Sequence, residues 1–352
     1  MNASAVSVSH SHSHSDNDND NDNDNRGSGL ADNATLQLQV RAIRLQAERT
    51  HAFELALPGG ALLPPVRAGA HIDVQLPGGL VRSYSLAGDP QDRTHWLLGV
   101  LREVDGCGGS RAMFDAVRVG DLLTVSAPRN AFALAPEARH SVLLGGGIGI
   151  TPLKAMAHTL AAQGASFELH HCARSPQHAA FASELNAAMP ADRLHRHFDG
   201  GDPAQGLDIA ALLASPAPGT HLYGCGPAGF MQACADASRH WPAGSVHFEH
   251  FKPPVSDAPA VPVALAGGFE VLLAKKGIRI QVLPEQTIVR AIELAGLRVP
   301  TSCLSGLCGA CKTDYLEGDV EHNDYILSDD EKARCMTLCV SRARSPLLVL
   351  DL

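Results

Sequence analysis

The chain has 352 residues, 45% of them hydrophobic, and a formal net charge of −9. That is long enough for two or three domains with a core each and too acidic to favour nucleic acid as a partner. No stretch approaches the roughly 20 apolar residues of a membrane span and no apolar export signal opens the chain, so no membrane partner and a cytoplasmic location are expected. Nine cysteines, an odd number, in such a chain point away from a disulfide framework.

Residues 1–33 form a tail whose Asp16, Asp18, Asp20, Asp22, Asp24 and Asp32 face a single cation, Arg26. Its SHSHSHSDNDND texture has too few apolar residues to offset the entropy of ordering, so a disordered acidic tail is expected. His10, His12 and His14 offer at most a weak chelate.

From residue 34 to 135 the pattern is one of short strands. LQLQVRAIRLQ and FELALP alternate apolar and polar residues, and further short strands follow at HIDVQL, RSYSL, HWLLGVL and DLLTVSA, between turns such as PGG and GDP. This predicts a small antiparallel β-barrel. Within RSYSL, Arg82 offers a planar donor fork suited to phosphate, Tyr84 a flat face and Ser85 a hydroxyl. Alone, the triple also fits an ordinary strand. GCGGS at 106–110 is a glycine turn in which Gly109 and Ser110 can present N–H groups to an anion; Arg102 could add a cation. Cys107 has no assigned role.

Residues 136–252 alternate strand and helix, which predicts an α/β doubly wound parallel sheet. In LLGGGIGITP a buried strand runs into Gly145, Gly146, Gly147 and Gly149 before a helix. That is the setting in which small residues let a pyrophosphate approach a helix N-terminus. Thr151 is expected to cap the helix and reach the ligand, and Pro152 suits the first turn. Arg174 follows the second strand, where an adenine ribose would lie. YGCGP places Cys225, Gly226 and Pro227 at the carboxyl edge of the sheet. Cys172 and Cys234 read as core. HFEHF, ending on Phe251, closes the segment, and 253–266 is a Pro- and Ala-rich linker.

Residues 267–352 begin with two strands, FEVLLAKKG and IRIQVLPEQ, and the helix TIVRAIELAG. Behind it lies CLSGLCGAC, with Cys303, Cys308 and Cys311 in nine positions. Structural zinc prefers two paired knuckles, and only one such pair is present. The Cys-x4-Cys-x2-Cys spacing is that of a plant-type [2Fe–2S] cluster. Gly306 and Gly309 permit the positive φ angles of a loop wrapped round it. The fourth ligand is Cys335 or Cys339. Cys339 is favoured because it is expected at the start of a closing strand.

The order of these motifs resembles the phthalate dioxygenase reductase family, which includes reductases of vanillate-type demethylases, over about residues 34–352. The resemblance implies a multidomain fold: an antiparallel β-barrel flavin domain, an α/β doubly wound nucleotide-binding domain, and an α+β β-grasp ferredoxin domain. It implies FMN held by Arg82, Tyr84, Ser85, Gly109 and Ser110, with Phe251 shielding the flavin face. It further implies NADH, rather than NADPH, on the glycine turn, with Cys225 beside the nicotinamide as an aligning group and not a nucleophile. Electrons would pass from NADH through FMN to the [2Fe–2S] cluster and then to a Rieske-type oxygenase subunit. A stand-alone reductase for a haem protein or another acceptor is the alternative. Family members often act as monomers, and a monomer is expected here.

Overall fold

The structure, a computed structural model, describes residues 34–104, 108–252 and 268–352. The acidic tail, Cys107 and the expected linker lie outside the described residues.

The N-terminal unit is a six-stranded antiparallel sheet. Its strands are β1 (Thr35–Ala47), β2 (Thr50–Ala56), β3 (His71–Leu76), β4 (Leu80–Ser85) and β5 (Trp96–Leu101), followed by helix α1 (Gly109–Ala116) and β6 (Leu122–Ser126). The spatial order is β4-β3-β6-β1-β2-β5, and a bridge between Leu86 and Leu98 joins the two edges into a barrel. Alternation does what period 2 demands: Leu38 and Val40 of β1, Ile72 and Val74 of β3 and Val125 of β6 point into one core. Helix α1 adds Met113 to that core.

The second unit is a five-stranded parallel sheet, ordered β11-β10-β7-β8-β9. It comprises β7 (His140–Gly146), α2 (Ile150–Ala162), β8 (Phe167–Ala173), α3 (Ala182–Ala188), β9 (Leu194–Phe198), α4 (Ile209–Leu213), β10 (Thr220–Cys225), α5 (Ala228–Ala237) and β11 (Val246–Glu249). β7 is buried along nearly its whole length because helices cover both faces. Leu143 faces the α2 side, and Val142 and Leu144 face the α4 and α5 side.

The C-terminal unit runs β12 (Phe269–Leu273), β13 (Ile278–Val282), α6 (Ile288–Leu294), β14 (Lys312–Glu317), β15 (Val320–Glu321), α7 (Asp329–Lys332), β16 (Cys335–Thr337), β17 (Arg342–Ala343) and β18 (Leu347–Leu350). β12 and β18 pair in parallel at the centre of a mixed sheet ordered β13-β12-β18-β14-β16. Ile288, Val289 and Ile292 of α6 pack with Phe269, Val271 and Leu348 of the sheet, a β-grasp arrangement. The cysteine loop lies between α6 and β14.

Candidate redox site

Loop 303–311 turns through three left-handed residues: Leu304 at φ 53°, Gly306 at φ 71° and Gly309 at φ 69°. Gly306 is doubly constrained, since a Cβ there would lie 2.7 Å from Val340 Cγ2. The turn aims N–H groups at sulfur. Cys303 N donates to Cys308 Sγ, and the amides of Ser305 and Leu307 donate to Cys303 Sγ, each at 3.4 Å. The four sulfurs fall into two pairs. Contact with Cys308 pulls Cys303 down to about 6 and pushes Cys308 up; contact with Cys339 pulls Cys311 down and pushes Cys339 up. Two pairs of thiols in one amide-rich pocket fit a two-iron cluster, one pair to each iron. Cys335 is turned elsewhere, with its Sγ donating to the Glu331 carbonyl at 3.1 Å. Cys339 is not at the start of a closing strand as expected. It sits in the turn after β16, and it is Cys335 that starts a strand. A turn serves a ligand better, because its amides are not consumed by a ladder.

On β4, Arg82, Tyr84 and Ser85 lie in a row, and the second expected element meets them. Gly109 is pressed against Arg82: a Cβ on it would lie 2.4 Å from Arg82 Cγ. Gly109 and Ser110 open α1, so the guanidinium stands beside a helix N-terminus, and both favour an anion. The Ser110 hydroxyl is already engaged, accepting from Glu103 N at 3.1 Å. Arg102 is paired with Asp115 at 2.8 Å, which takes up the extra cation. Burial raises the Tyr84 phenol well above its ordinary range, so it stays neutral.

In the parallel unit, β7 leads into a single 3-10 turn over Gly147–Gly149 and then into α2. Gly147 adopts φ 54°. The glycines are needed because this turn touches the neighbouring motif. A Cβ on Gly149 would lie 2.2 Å from the Cys225 carbonyl oxygen, and one on Gly146 would lie 3.0 Å from Pro227 Cδ. The two nucleotide elements are thus one surface, with Gly226 between them. Thr151 does not cap α2 as expected. It is buried, its hydroxyl donates to the Ile148 carbonyl at 3.0 Å, and α2 has no side-chain cap. Its methyl instead packs where a Cβ on Gly99 would go. Arg174 is exposed just past β8. Cys172 is half-buried and Cys234 buried.

The barrel and the parallel sheet meet at Ser85, whose hydroxyl donates to Glu249 Oε2 at 3.0 Å. Burial pushes Glu249 up to about 7, although the Ser85 bond works the other way. Burial, and then Glu249, raise the Cys225 thiol well above its ordinary value. A buried, protonated thiol is a poor nucleophile. Phe251 is 42% exposed two residues beyond Glu249.

The barrel and the cysteine loop meet at Ser83. Its hydroxyl donates to Asp73 Oδ1 at 2.7 Å and lies 3.1 Å from the Ser302 hydroxyl. Arg129 Nη2 donates to the other Asp73 oxygen at 2.6 Å. Despite burial, Arg129, Ser302 and Ser83 together hold the Asp73 carboxyl below its usual range. Beside it, burial and then Arg129 push His71 down to about 4, with its ring turned to the Cys308 backbone.

Residues 271–344 match the 2Fe-2S iron-sulfur cluster binding domain. The chain is 44% identical to vanillate O-demethylase oxidoreductase of Pseudomonas sp. (strain HR199 / DSM 7063), over 90% of this chain and all of that one. It is 39% identical to phthalate dioxygenase reductase of Burkholderia cepacia, over 91% of this chain and 98% of that one. The solved phthalate dioxygenase reductase, a modular structure for electron transfer from pyridine nucleotides to [2Fe–2S], superposes with a TM-score of 0.67 at 39% identity. That match covers 90% of this chain and 98% of that one. The chain belongs to the phthalate dioxygenase reductase family. An intact type IV self-sufficient cytochrome P450 monooxygenase also matches at TM-score 0.82 and 36% identity. That match covers 90% of this chain and 41% of the longer one.

Within this reductase family frame, two groups escaped the sequence reading. Glu249 stands inside HFEHF, whose terminal Phe251 carries the sequence expectation. Its signal was an acid placed among aromatic neighbours on a short strand. The Asp73, Ser83 and Ser302 joint had no local signal at all, since its members come from separate strands and a distant loop.

Proposed function

We propose that this chain is the NADH-dependent reductase component of a two-component Rieske-type oxygenase or demethylase, working in the cytoplasm. When bound, FMN and the [2Fe–2S] cluster supply conversion of a two-electron hydride into single electrons. The chain's own residues place these groups. Arg82 and the α1 N-terminus at Gly109 and Ser110 hold the FMN phosphate, Tyr84 packs on the ring, and Ser85 reaches its edge. The turn from Gly145 to Gly149 accepts the NADH pyrophosphate, with Arg174 at the ribose end. Cys225, backed by Gly226 and Pro227, aligns the nicotinamide, and Phe251 shields the flavin face. Glu249 orients the Ser85 hydroxyl. Cys303, Cys308, Cys311 and Cys339 ligate the cluster.

One observation above all supports this reading. Ser83, between Arg82 and Tyr84, lies 3.1 Å from Ser302, the neighbour of Cys303. The flavin strand and the cluster loop therefore touch through two hydroxyls, and the outlet lies next to the converter. The test is anaerobic mixing of reconstituted protein with NADH, followed by addition of a Rieske oxygenase component. Bleaching of flavin absorption followed by cluster absorption, with reoxidation by the oxygenase, is the expected course. A cluster that NADH never reduces overturns it. The likeness to the P450 monooxygenase supports a second reading, in which a haem protein is the acceptor. Reoxidation by a haem protein and not by any Rieske component would favour that reading.

A further inference from the structure

The face of the parallel sheet that α4 and α5 cover over β7 and β10 carries a different population at its β8–β9 edge. In the register of these strands His170 pairs with His195 and Cys172 with His197, so alternate residues of both strands share one face. Glu168, His170 and His195 present one carboxylate oxygen and two ring nitrogens, all within 4.8 Å of one another. His170 is 5% exposed, and its buried Nε2 makes no well-aligned hydrogen bond. That nitrogen lies 3.3 Å from Glu168 Oε2. The other ring nitrogen of His170 is 3.0 Å from His197 Nε2. In the tautomer whose Nδ1 donates to His197, Nε2 carries a lone pair facing the Glu168 carboxylate, a pairing that a shared cation would join. A ring so held from behind is the usual arrangement of a metal-bound histidine. His195 stacks on His170 with ring centroids 4.8 Å apart.

We propose that Glu168, His170 and His195 bind one borderline divalent transition ion of the zinc class, separate from the redox centres. Two imidazoles and a carboxylate suit Zn2+. Bonds of about 2.0–2.2 Å require the three ligand atoms to draw in slightly, which rotation of the half-exposed Glu168 and His195 allows. His197 fixes the His170 ring from behind. His140 stands farther off, with Nε2 3.8 Å from the second Glu168 oxygen. The bound ion ties the edge strand β9 to β8.

The test uses full-length holoprotein in which the tail histidines are substituted, His10→Ala, His12→Ala and His14→Ala, so that the tail contributes no zinc. Equilibrium dialysis against Zn2+ with elemental analysis should give one equivalent of zinc beside the iron. His195→Ala should lose it, and Glu168→Gln should weaken binding at least tenfold, with NADH-dependent flavin reduction unchanged in both. Zinc-edge X-ray absorption on the unaltered cluster of side chains should show nitrogen and oxygen ligands only; this holds whether or not His195→Ala folds. No zinc uptake once the tail is altered, unchanged uptake in both site variants, or sulfur scattering at about 2.3 Å would each overturn the proposal.

Discussion

Cys335 and Cys339 are both buried, so burial does not separate them. Their partners do. Cys339 shares its sulfur environment with Cys311, whereas Cys335 donates to the Glu331 carbonyl. Cys339→Ser should therefore yield protein that keeps its flavin but lacks the cluster's reddish-brown absorption, while Cys335→Ser should keep both. A spectrum with the two outcomes reversed would move the fourth ligand. Glu249 makes a prediction about pH. Its folded pKa of about 7 lies above its ordinary 4.5, so the native state holds the extra proton and stability falls as pH rises between those values. Burial gives His171 the opposite sign: its pKa of about 4 lies below 6.5, so stability falls as pH drops through that window. Each slope is about 1.4 kcal/mol per pH unit. Where the windows overlap the two oppose each other. Glu249→Gln removes one of them, and its stability loss between pH 7 and pH 5 should exceed the wild type's by about 2 kcal/mol. Urea midpoints at the two pH values measure this, and equal losses would contradict it.

Among the elements, legibility followed periodicity and spacing. Strands β1 and β2 announced themselves by alternation, β3 to β6 by short runs between turns, and the cysteine loop by spacing alone, because ligand geometry is local. Helix α1 stayed hidden because it opens on Gly109 and Ser110 and spans only eight residues; those residues equally suit a turn. Thr151 was misread because a Thr-Pro step at a helix start usually signals a cap, and only the tertiary contact with Gly99 shows it facing inward. Two glycines at element starts now make contrasting predictions. A Cβ on Gly149 meets the Cys225 backbone, which has no room to yield, so Gly149→Ala should separate the two nucleotide elements. Its expected effects are a rise in KM for NADH on the order of tenfold and a stability loss of about 1–3 kcal/mol. The three atoms nearest a Cβ on Gly109 all belong to the flexible Arg82 side chain. Gly109→Ala should leave stability nearly unchanged but swing the guanidinium aside. FMN affinity should fall about tenfold, the worth of one charge-assisted hydrogen bond. Flavin-release titration and thermal melts on both variants separate these outcomes.

At the scale of the whole molecule the barrel and the nucleotide unit share one apolar core, in which Ala47, Ala87, Leu97 and Phe132 meet Leu143, Ile150 and Phe181, and polar joints fix the three units in register. Lys154, buried in α2, donates to the Ala87 carbonyl at 2.9 Å and pairs with Glu184 at the same distance, which fixes the nucleotide unit to the barrel. The ferredoxin unit is held to the barrel at Ser83, Asp73 and Ser302. The two joints should have different kinetic signatures. Ser302 touches neither the nucleotide surface nor the strand face bearing Arg82, so its loss should leave hydride transfer alone. It does complete the shell of the buried Asp73 carboxylate, and a hydrogen bond to a charged group contributes about 1.5–3 kcal/mol. Ser302→Ala should therefore weaken docking of the cysteine loop about tenfold. Rapid mixing with NADH should show flavin bleaching at the wild-type rate and cluster reduction slowed several-fold, with full cluster content. The delay should shrink in Ser302→Thr, which restores the hydroxyl. Equal slowing of both phases would mean that Ser302 acts on the barrel as a whole. Unchanged kinetics would mean that the contact between Ser83 and Ser302 does not govern the passage of electrons to the cluster.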